Sequence, residues 1–156
     1  MGRMYSAVFE GVSVSAAQDL FELLAGAAVV VAVHEVHITN DSDEVSQQLP
    51  FAVKRIPATV TSGSGGAAVT PRKLGGVQDP AATSTVERNN TSRASSTGTI
   101  EVIRRAGENV LNGYHLIFPP EQRVIVPPGG TIVVGLEAAP SGAIPLSGEI
   151  IFEEIG

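Results

Sequence analysis

Cysteine and tryptophan are absent from this 156-residue chain, and its only aromatic residues are five phenylalanines and two tyrosines. Without cysteine the chain can form no disulfide framework and no thiolate metal site. With so few aromatic rings it is poorly supplied for the stacking platforms on which sugar-binding sites commonly depend. These absences direct attention to strand-forming and turn-forming residues rather than to reactive side chains.

Positive charge is also scarce. The chain has 10 lysines and arginines against 16 aspartates and glutamates, so its formal net charge is −6. The basic residues are scattered, in part as short pairs at residues 54–55, 72–73 and 104–105. An acidic chain is repelled by phosphate backbones, which argues against nucleic-acid binding. The longest apolar run, residues 27–33, is far too short to span a bilayer, so we also expect no membrane partner.

What the chain has in abundance is the mixture of residues that forms short strands and tight turns, including 17 glycines and 10 prolines. Alternating apolar and polar residues between turn residues predict eight or nine strands. The clearest are residues 3–15, 28–39, 47–61, 99–105, 114–119, 123–126, 131–137 and 144–154. This length and spacing predict one domain, residues 1–156, with an all-β, antiparallel β-sandwich fold.

Two stretches need a decision. In residues 15–25, Ser15 and Gln18 have the spacing of a helix capping box, but the stretch is short and a turn follows it, so we interpret it as a strand. Within residues 47–61, Pro50 and Pro57 cannot donate hydrogen bonds to a β-ladder. Their presence predicts that this strand lies at a sheet edge or at bulges.

Residues 62–98 differ in character from the rest of the chain. They are rich in glycine, serine, threonine and proline, and only residues 83–88 have a strand-like pattern. Loops of this length are uncommon inside compact domains and often take part in binding. We interpret residues 62–98, hereafter the arm, as an extended loop with a short strand in its middle. The long central arm and the strong terminal strand favour a jelly-roll-like sandwich over an immunoglobulin fold.

The histidines are the candidate metal ligands. His34 and His37 lie three residues apart on one predicted strand, so simple alternation points them to opposite faces. Glu35 would share a face with His37, and His115 could approach in three dimensions. Cupins, which hold a metal inside a jelly roll, usually have two histidines separated by one residue and a third after a Pro-Gly turn. Here residues 128–130 (PGG) are followed by no histidine, and we predict no metal and no cofactor.

No other cluster of residues predicts catalysis. Ser62 and Ser64 lie in a glycine-rich stretch that has neither the strand–serine–helix turn of a nucleophile elbow nor the Lys-Ser/Thr of a phosphate loop. Glu153 and Glu154 are neighbours in a strand and therefore face opposite ways. Residues 41–44 (DSDE) resemble half of a calcium loop, and we interpret them as a solvated turn. We predict that the protein is not an enzyme and has no catalytic residues.

Six segments and their order along the chain carry a resemblance to a known group of proteins. They are residues 12–26 (VSVSAAQDLFELLAG), 37–41 (HITND), 54–66 (KRIPATVTSGSGG), 78–85 (QDPAATST), 118–130 (FPPEQRVIVPPGG) and 147–154 (SGEIIFEE). In this order they resemble small virion proteins encoded near the major capsid genes of tailed bacteriophages. These motifs are structural rather than catalytic, so no functional residue of that family is transferred to this chain. The resemblance implies a jelly-roll-like decoration, or cement, protein on the capsid exterior.

The same resemblance implies a protein that is made in the host cytoplasm and binds the major capsid protein as a homotrimer. A trimer would bury the apolar outer faces that strands such as residues 28–39 are expected to carry. The candidate partner-binding residues lie in the arm: Ser62, Gly63, Ser64, Gly65, Gly66, Arg72, Lys73, Arg88 and Arg93. Two alternatives stay open, a carbohydrate- or receptor-binding jelly-roll module of a virion and a cupin-like metal enzyme.

Overall fold

The structure is a computed structural model that describes residues 2–42 and 46–156. Regular structure in these residues is β-strand, apart from a 3₁₀ turn at Pro120–Gln122, and they contain no helix that could cross a membrane. The strands are β1 (Arg3–Val14), β2 (Gln18–Leu24), β3 (Val30–Asn40), β4 (Gln48–Ile56), β5 (Val60–Thr61), β6 (Ala67–Val69), β7 (Arg72–Lys73), β8 (Thr85–Asn90), β9 (Ser95–Ser96), β10 (Glu101–Asn109), β11 (Tyr114–Ile117), β12 (Val124–Val126), β13 (Thr131–Leu136) and β14 (Ile144–Ile155).

Two six-stranded sheets form the molecule. Sheet A has the order β11-β3-β14-β1-β7, with β12 also paired to β3, and sheet B has the order β10-β4-β13-β2-β8-β6. The paired strands are antiparallel. Ring contacts join the sheets, with Phe9 against Phe21 and Phe51 against Tyr114, each at a centroid distance of 5.0 Å. The predicted all-β, antiparallel β-sandwich is confirmed.

The first four strands alternate between the two sheets along the chain. β1, β3 and β14 belong to sheet A, whereas β2, β4 and β13 belong to sheet B. Strands that are neighbours in a sheet are therefore distant in sequence. In particular, β1 pairs with β14 along most of its length, so the first and last strands lie together in the interior of sheet A.

The core lies between the sheets and contains every aromatic side chain of the protein. β14 shows the expected alternation, since Ile150, Phe152 and Glu154 point inward while the residues between them are half-buried. All seven aromatic residues are buried: Tyr5, Phe9, Phe21, Phe51, Tyr114, Phe118 and Phe152. The scarce aromatic rings thus serve core packing, and none is exposed for stacking against a sugar.

The two difficult stretches have different outcomes. Residues 15–25 contain the strand β2, as predicted. Of the two predicted positions for the proline-containing strand, the edge is wrong, because β4 lies between β10 and β13; its pairing with β10 does contain a register shift, opposite residues 53–54 and away from both prolines. Pro50 is tolerated because the ladder with β13 begins one residue later, at Phe51, and the Pro50 carbonyl accepts a hydrogen bond from the Glu137 backbone N–H at 2.8 Å. Pro57 follows the end of β4.

The arm is packed against the sandwich, which differs from the expected extended loop. β8 pairs with β2 and β6 pairs with β8, so the arm widens sheet B by two strands. β7 pairs with β1 at the edge of sheet A, and β9 pairs with β5. The strand predicted at residues 83–88 is present as β8, but the other three strands of the arm were not expected.

Glycines in the arm allow backbones to approach each other closely. A Cβ atom on Gly66 would overlap the carbonyl oxygen of Arg88, and one on Gly63 would meet the carbonyl oxygen of Ser92. Ser64 and Ser92 exchange two backbone hydrogen bonds of 2.9 Å at this point. The residues that suggested flexibility in the sequence therefore allow tight packing in the structure.

Candidate interaction surfaces

Three buried carboxylates hold the arm on the sandwich, and the first is Glu22 on β2. Its oxygens accept hydrogen bonds from Ser62 Oγ at 2.7 Å and from the Gly63 backbone N–H at 2.9 Å. Asn90 Nδ2 on β8 donates a third, also at 2.9 Å. Hydrogen bonds to a buried ionised carboxylate are stronger than those between neutral groups. Glu22 therefore anchors the first part of the arm.

Asp19, the second carboxylate, binds the last part of the arm. It accepts a hydrogen bond of 2.7 Å from the Ala94 backbone N–H, and the Arg93 Nε atom lies 3.9 Å from its other oxygen. Burial raises the pKa of Asp19 to about 6, because desolvation of the charged form outweighs the opposing effects of Ala94 and Arg93. The raised pKa of Asp19 thus results from its burial beneath the arm.

Arg93 continues this contact across sheet B. Its Nη1 lies 3.5 Å from Glu137 Oε2, and another guanidinium N–H donates to the Leu136 carbonyl. Glu137 also pairs with Lys54 Nζ at 2.7 Å. Burial alone would raise the pKa of Glu137, but the hydrogen bond and charge of Lys54, together with Arg93, hold it below its ordinary value. Asp19, Arg93, Glu137 and Lys54 form a connected charged network under the arm.

Glu154, the third carboxylate, binds the middle of the arm. This inward-facing residue of β14 is fully buried at one end of the sandwich. Its Oε1 atom accepts hydrogen bonds from the backbone N–H groups of Thr83 and Ser84, at 2.8 and 2.7 Å. Arg3 Nη2 lies 3.7 Å from its other oxygen. The prediction that Glu153 and Glu154 face opposite ways is confirmed, and the inward one fixes the arm.

The nine predicted partner-binding residues fall into four groups. Ser62, Gly63 and Arg93 contact the buried carboxylates, and Ser64 and Gly66 bond to other parts of the arm, Gly66 through Asn90 Oδ1. Gly65 and Arg88, together with Gly66, line a recess between the sheets. Arg72 and Lys73 are exposed on β7. The structure therefore gives most of this set contacts within the chain itself.

Residues 70–78, hereafter the tip, are the most exposed part of the arm. Leu74 is 51% exposed and Val77 is 86% exposed, beside the exposed side chains of Arg72 and Lys73. Lys73 Nζ donates a 3.2 Å hydrogen bond to the Val77 carbonyl, which shapes the turn. The tip places two apolar and two basic side chains together on a molecule of net negative charge.

The outer face of sheet A, hereafter the open face, also carries exposed apolar residues. Val8 on β1 is 46% exposed and Ile117 on β11 is 63% exposed. Between them His115, His37 and Glu149 form a cross-strand row over three strands. A shallow recess of about 320 Å³ lies beside this row. The open face thus mixes apolar side chains with histidines and carboxylates.

The histidines lie on the open face rather than inside the sandwich. His115 Nε2 is 2.7 Å from Glu35 Oε1, and the rings of His115 and His37 are 4.5 Å apart. Glu35 and His37 share a face, as the alternation predicted, and His115 lies beside both. His34 also faces outward, with its Nε2 atom 3.0 Å from Glu153 Oε2.

The prediction that His34 and His37 point to opposite faces is wrong. The pairing of β3 with β14 shifts by one residue, since Glu35 lies opposite Ile151 but Val33 lies opposite Phe152. Such a bulge inserts one residue and breaks the simple alternation of side chains. Among the residues described, no group of three or more acidic or histidine side chains is placed to hold a metal ion. Asp43 and Glu44 of the predicted acidic turn lie outside the described residues.

Sequence reasoning missed the three buried carboxylates. Asp19 and Glu22 are acidic residues in a leucine-rich strand. Their position in so apolar a stretch was the only sign in the sequence that they are buried. The sequence pattern also predicted apolar residues on the outer side of residues 28–39. In the structure that side of β3 carries Glu35 and His37 besides a buried Ala32, and the exposed large apolar side chains of sheet A come from β1, β11, β12 and β14.

Comparison of the chain with protein-family models, with curated proteins and with solved structures gives no match.

Proposed function

We propose that the protein is a non-enzymatic structural component of a virion, which decorates and stabilises a phage capsid by binding the lattice of the major capsid protein. The observation that carries this proposal is the unequal covering of the sandwich. The arm buries the outer face of sheet B around Glu22 and Val133, while sheet A, the tip and the edge strand β10, through Val102, expose large apolar side chains to solvent. Exposed apolar residues grouped with charges are typical of surfaces that bind other proteins.

The strand order supports a jelly-roll assignment of the sandwich. A jelly roll is built from two Greek keys, in which successive strands cross between two sheets and the first and last strands become neighbours. The alternation of β1, β2, β3 and β4 between the sheets and the pairing of β1 with β14 fit this arrangement. Such a sandwich suits a protein that serves as a fixed clamp.

The open face suits association with further copies of the same chain. It offers histidines at one side of the row and the Glu149 carboxylate at the other, so two such surfaces can present unlike groups to each other. Val8 and Ile117 supply the apolar area that an interface core needs. A closed trimer requires a heterologous contact, in which the histidine side of one copy's row meets the Glu149 side of the next copy's row, and the proposal here is such a trimer.

The tip suits attachment to the capsid. Arg72 and Lys73 are complementary to an acidic partner surface, and Leu74 and Val77 provide apolar contacts at the same place. Charge complementarity of this kind steers the encounter, while the apolar contacts slow dissociation. Repetition of one weak contact over a symmetric lattice gives strong overall attachment.

The first test is the mass of the purified chain in solution by light scattering. The chain has a mass of 16.1 kDa, so the proposed trimer has three times that mass. The second test is co-sedimentation with expanded, undecorated heads of the phage that encodes the chain. Leu74→Ser/Val77→Ser should reduce co-sedimentation without changing the oligomer, and Leu111→Ser, at another exposed site, should not. A monomer that fails to sediment with these heads would refute the proposal.

A further inference from the structure

A recess of about 300 Å³ opens between the two sheets where β1 passes β6 and β8. Its polar lining comes from Ser13, Gln18, Arg88, Asn89 and Thr91, and no carboxylate lines it. The chain has six more acidic than basic residues, yet this recess has a basic residue and no acid in its lining. Its lining favours a ligand that accepts hydrogen bonds and carries negative charge.

Arg88 differs from the other half-buried basic residues of the protein. Six lysines and arginines are half-buried, and five of them have a carboxylate oxygen within 4.0 Å: Arg3, Lys54, Arg55, Arg93 and Arg123. In residues 2–42 and 46–156, no carboxylate comes this close to Arg88. A guanidinium that has lost part of its hydration is normally compensated by a partner charge. Arg88 is therefore available to an anion from outside the chain.

Asn89 provides a second observation at the same recess. Its Oδ1 accepts a 2.9 Å hydrogen bond from Gln18 Nε2, but its buried Nδ2 has no acceptor in the described part of the chain. Its φ angle of 53° is in the left-handed region, which asparagine adopts more readily than most residues other than glycine, and it marks the irregularity between the Asn90 and Arg88 pairs of β8 with β2. The recess thus combines an unpaired cation with an unpaired donor.

We propose that this recess is a carboxylate-binding site. The planar guanidinium of Arg88 would receive the two carboxylate oxygens side by side, a geometry that arginine matches. The hydroxyls of Ser13 and Thr91 and the amide of Asn89 are the neighbouring donors. A single cation balances a monoanion, whereas a phosphate close to a dianion would keep uncompensated charge.

The size of the recess limits the ligand to a small group. Its volume is at the lower end of the range for small-molecule pockets, which suits the end of an aspartate or glutamate side chain or a small free acid. Both sources present the same chemical group to Arg88. This site does not depend on the proposed attachment to a capsid.

The test is an NMR titration of the ¹⁵N-labelled full chain at constant ionic strength. The probes are butyrate, the blocked peptide acetyl-Gly-Glu-Gly-amide, its glutamine counterpart and inorganic phosphate. We expect saturable amide shifts at Gly65, Gly66 and Thr91 with butyrate, with the glutamate peptide or with both. Binding of butyrate alone identifies a free acid as the ligand, and binding of the peptide alone identifies a partner side chain. Absence of saturable shifts with both would overturn the proposal.

Two substitutions test the role assigned to Arg88. Arg88→Gln should weaken binding by about tenfold or more, because it removes the charge-assisted pair, and Arg88→Lys should weaken it less. Arg105→Gln, at an exposed position on β10, should bind as the unaltered chain does. Spectra without ligand show whether each variant keeps its fold. Equal binding by Arg88→Gln, or equally tight binding of phosphate or the glutamine peptide, would overturn the proposal.

Discussion

The outer faces of the two sheets differ in what covers them. On sheet B, the outward-pointing Glu22 and Val133 are 3% and 2% exposed, because the arm lies over them. On sheet A, the outward-pointing Val8 and Ile117 are 46% and 63% exposed. Carboxylates under the arm accept backbone hydrogen bonds, whereas those on the open face pair with histidines. The comparison contrasts a region of sheet B that the arm buries with the proposed association surface on sheet A; at the β10 edge of sheet B, Val102 is 58% exposed.

Glu22→Ala gives the largest expected effect, because it removes the acceptor of three hydrogen bonds under the arm. Leaving buried donors unsatisfied should lower the free energy of unfolding by about 3–4 kcal/mol. Chemical denaturation measures this loss, and hydrogen exchange should show faster exchange at residues 62–66. Glu149→Gln on the open face is the matched control, with an expected change within about 0.5 kcal/mol. Equal losses in both variants would contradict the difference between the faces.

Asp19→Asn tests the charge beneath the arm. The pKa of Asp19 is raised from 3.8 to about 6 in the folded chain, so its protonated form is favoured by folding. Its contribution to stability is therefore fully present below pH 4 and is lost as the pH rises through 6. The stability of the unaltered chain relative to Asp19→Asn should fall by up to about 3 kcal/mol across this range.

The measurement for Asp19 is denaturation of both proteins from pH 3.5 to 7.5. Glu10→Gln, an exposed site on β1, serves as the control and should follow the unaltered chain at every pH. A constant difference between Asp19→Asn and the unaltered chain would show that this carboxyl keeps its ordinary pKa and is not desolvated by the arm.

The sequence predicted the class of fold and most strands, because alternation reports which side of a strand is buried. It could not predict where the arm lies, because a flexible loop and a closely packed loop can both be rich in glycine and serine. Contacts such as those of Glu22 join residues about 40 or more positions apart and leave no local pattern. One bulge in β3 was enough to reverse the expected direction of His34.

Gly66→Ala tests the close packing of the arm directly. The added methyl group would overlap the Arg88 carbonyl oxygen, a backbone atom that cannot move aside without disturbing β8. We expect a loss of about 2 kcal/mol in the free energy of unfolding, as for other overpacked sites. Gly107→Ala on β10 is the control, because no atom lies within 4 Å of its added methyl group. If thermal denaturation shows both variants equally stable, the arm is looser than the structure indicates.

Substitutions on the open face should have the smallest effect on stability and a clear effect on association. Val8→Ser/Ile117→Ser changes two side chains that are largely in contact with solvent, so the free energy of unfolding should change by less than about 1 kcal/mol. The same change removes the apolar centre of the proposed interface between copies, and light scattering should show a shift from trimer towards monomer. Leu111→Ser, an exposed apolar site in the turn between β10 and β11, should leave the mass unchanged. An unchanged mass for the double variant would contradict the proposed role of the open face. The contacts between copies would then lie elsewhere on the chain.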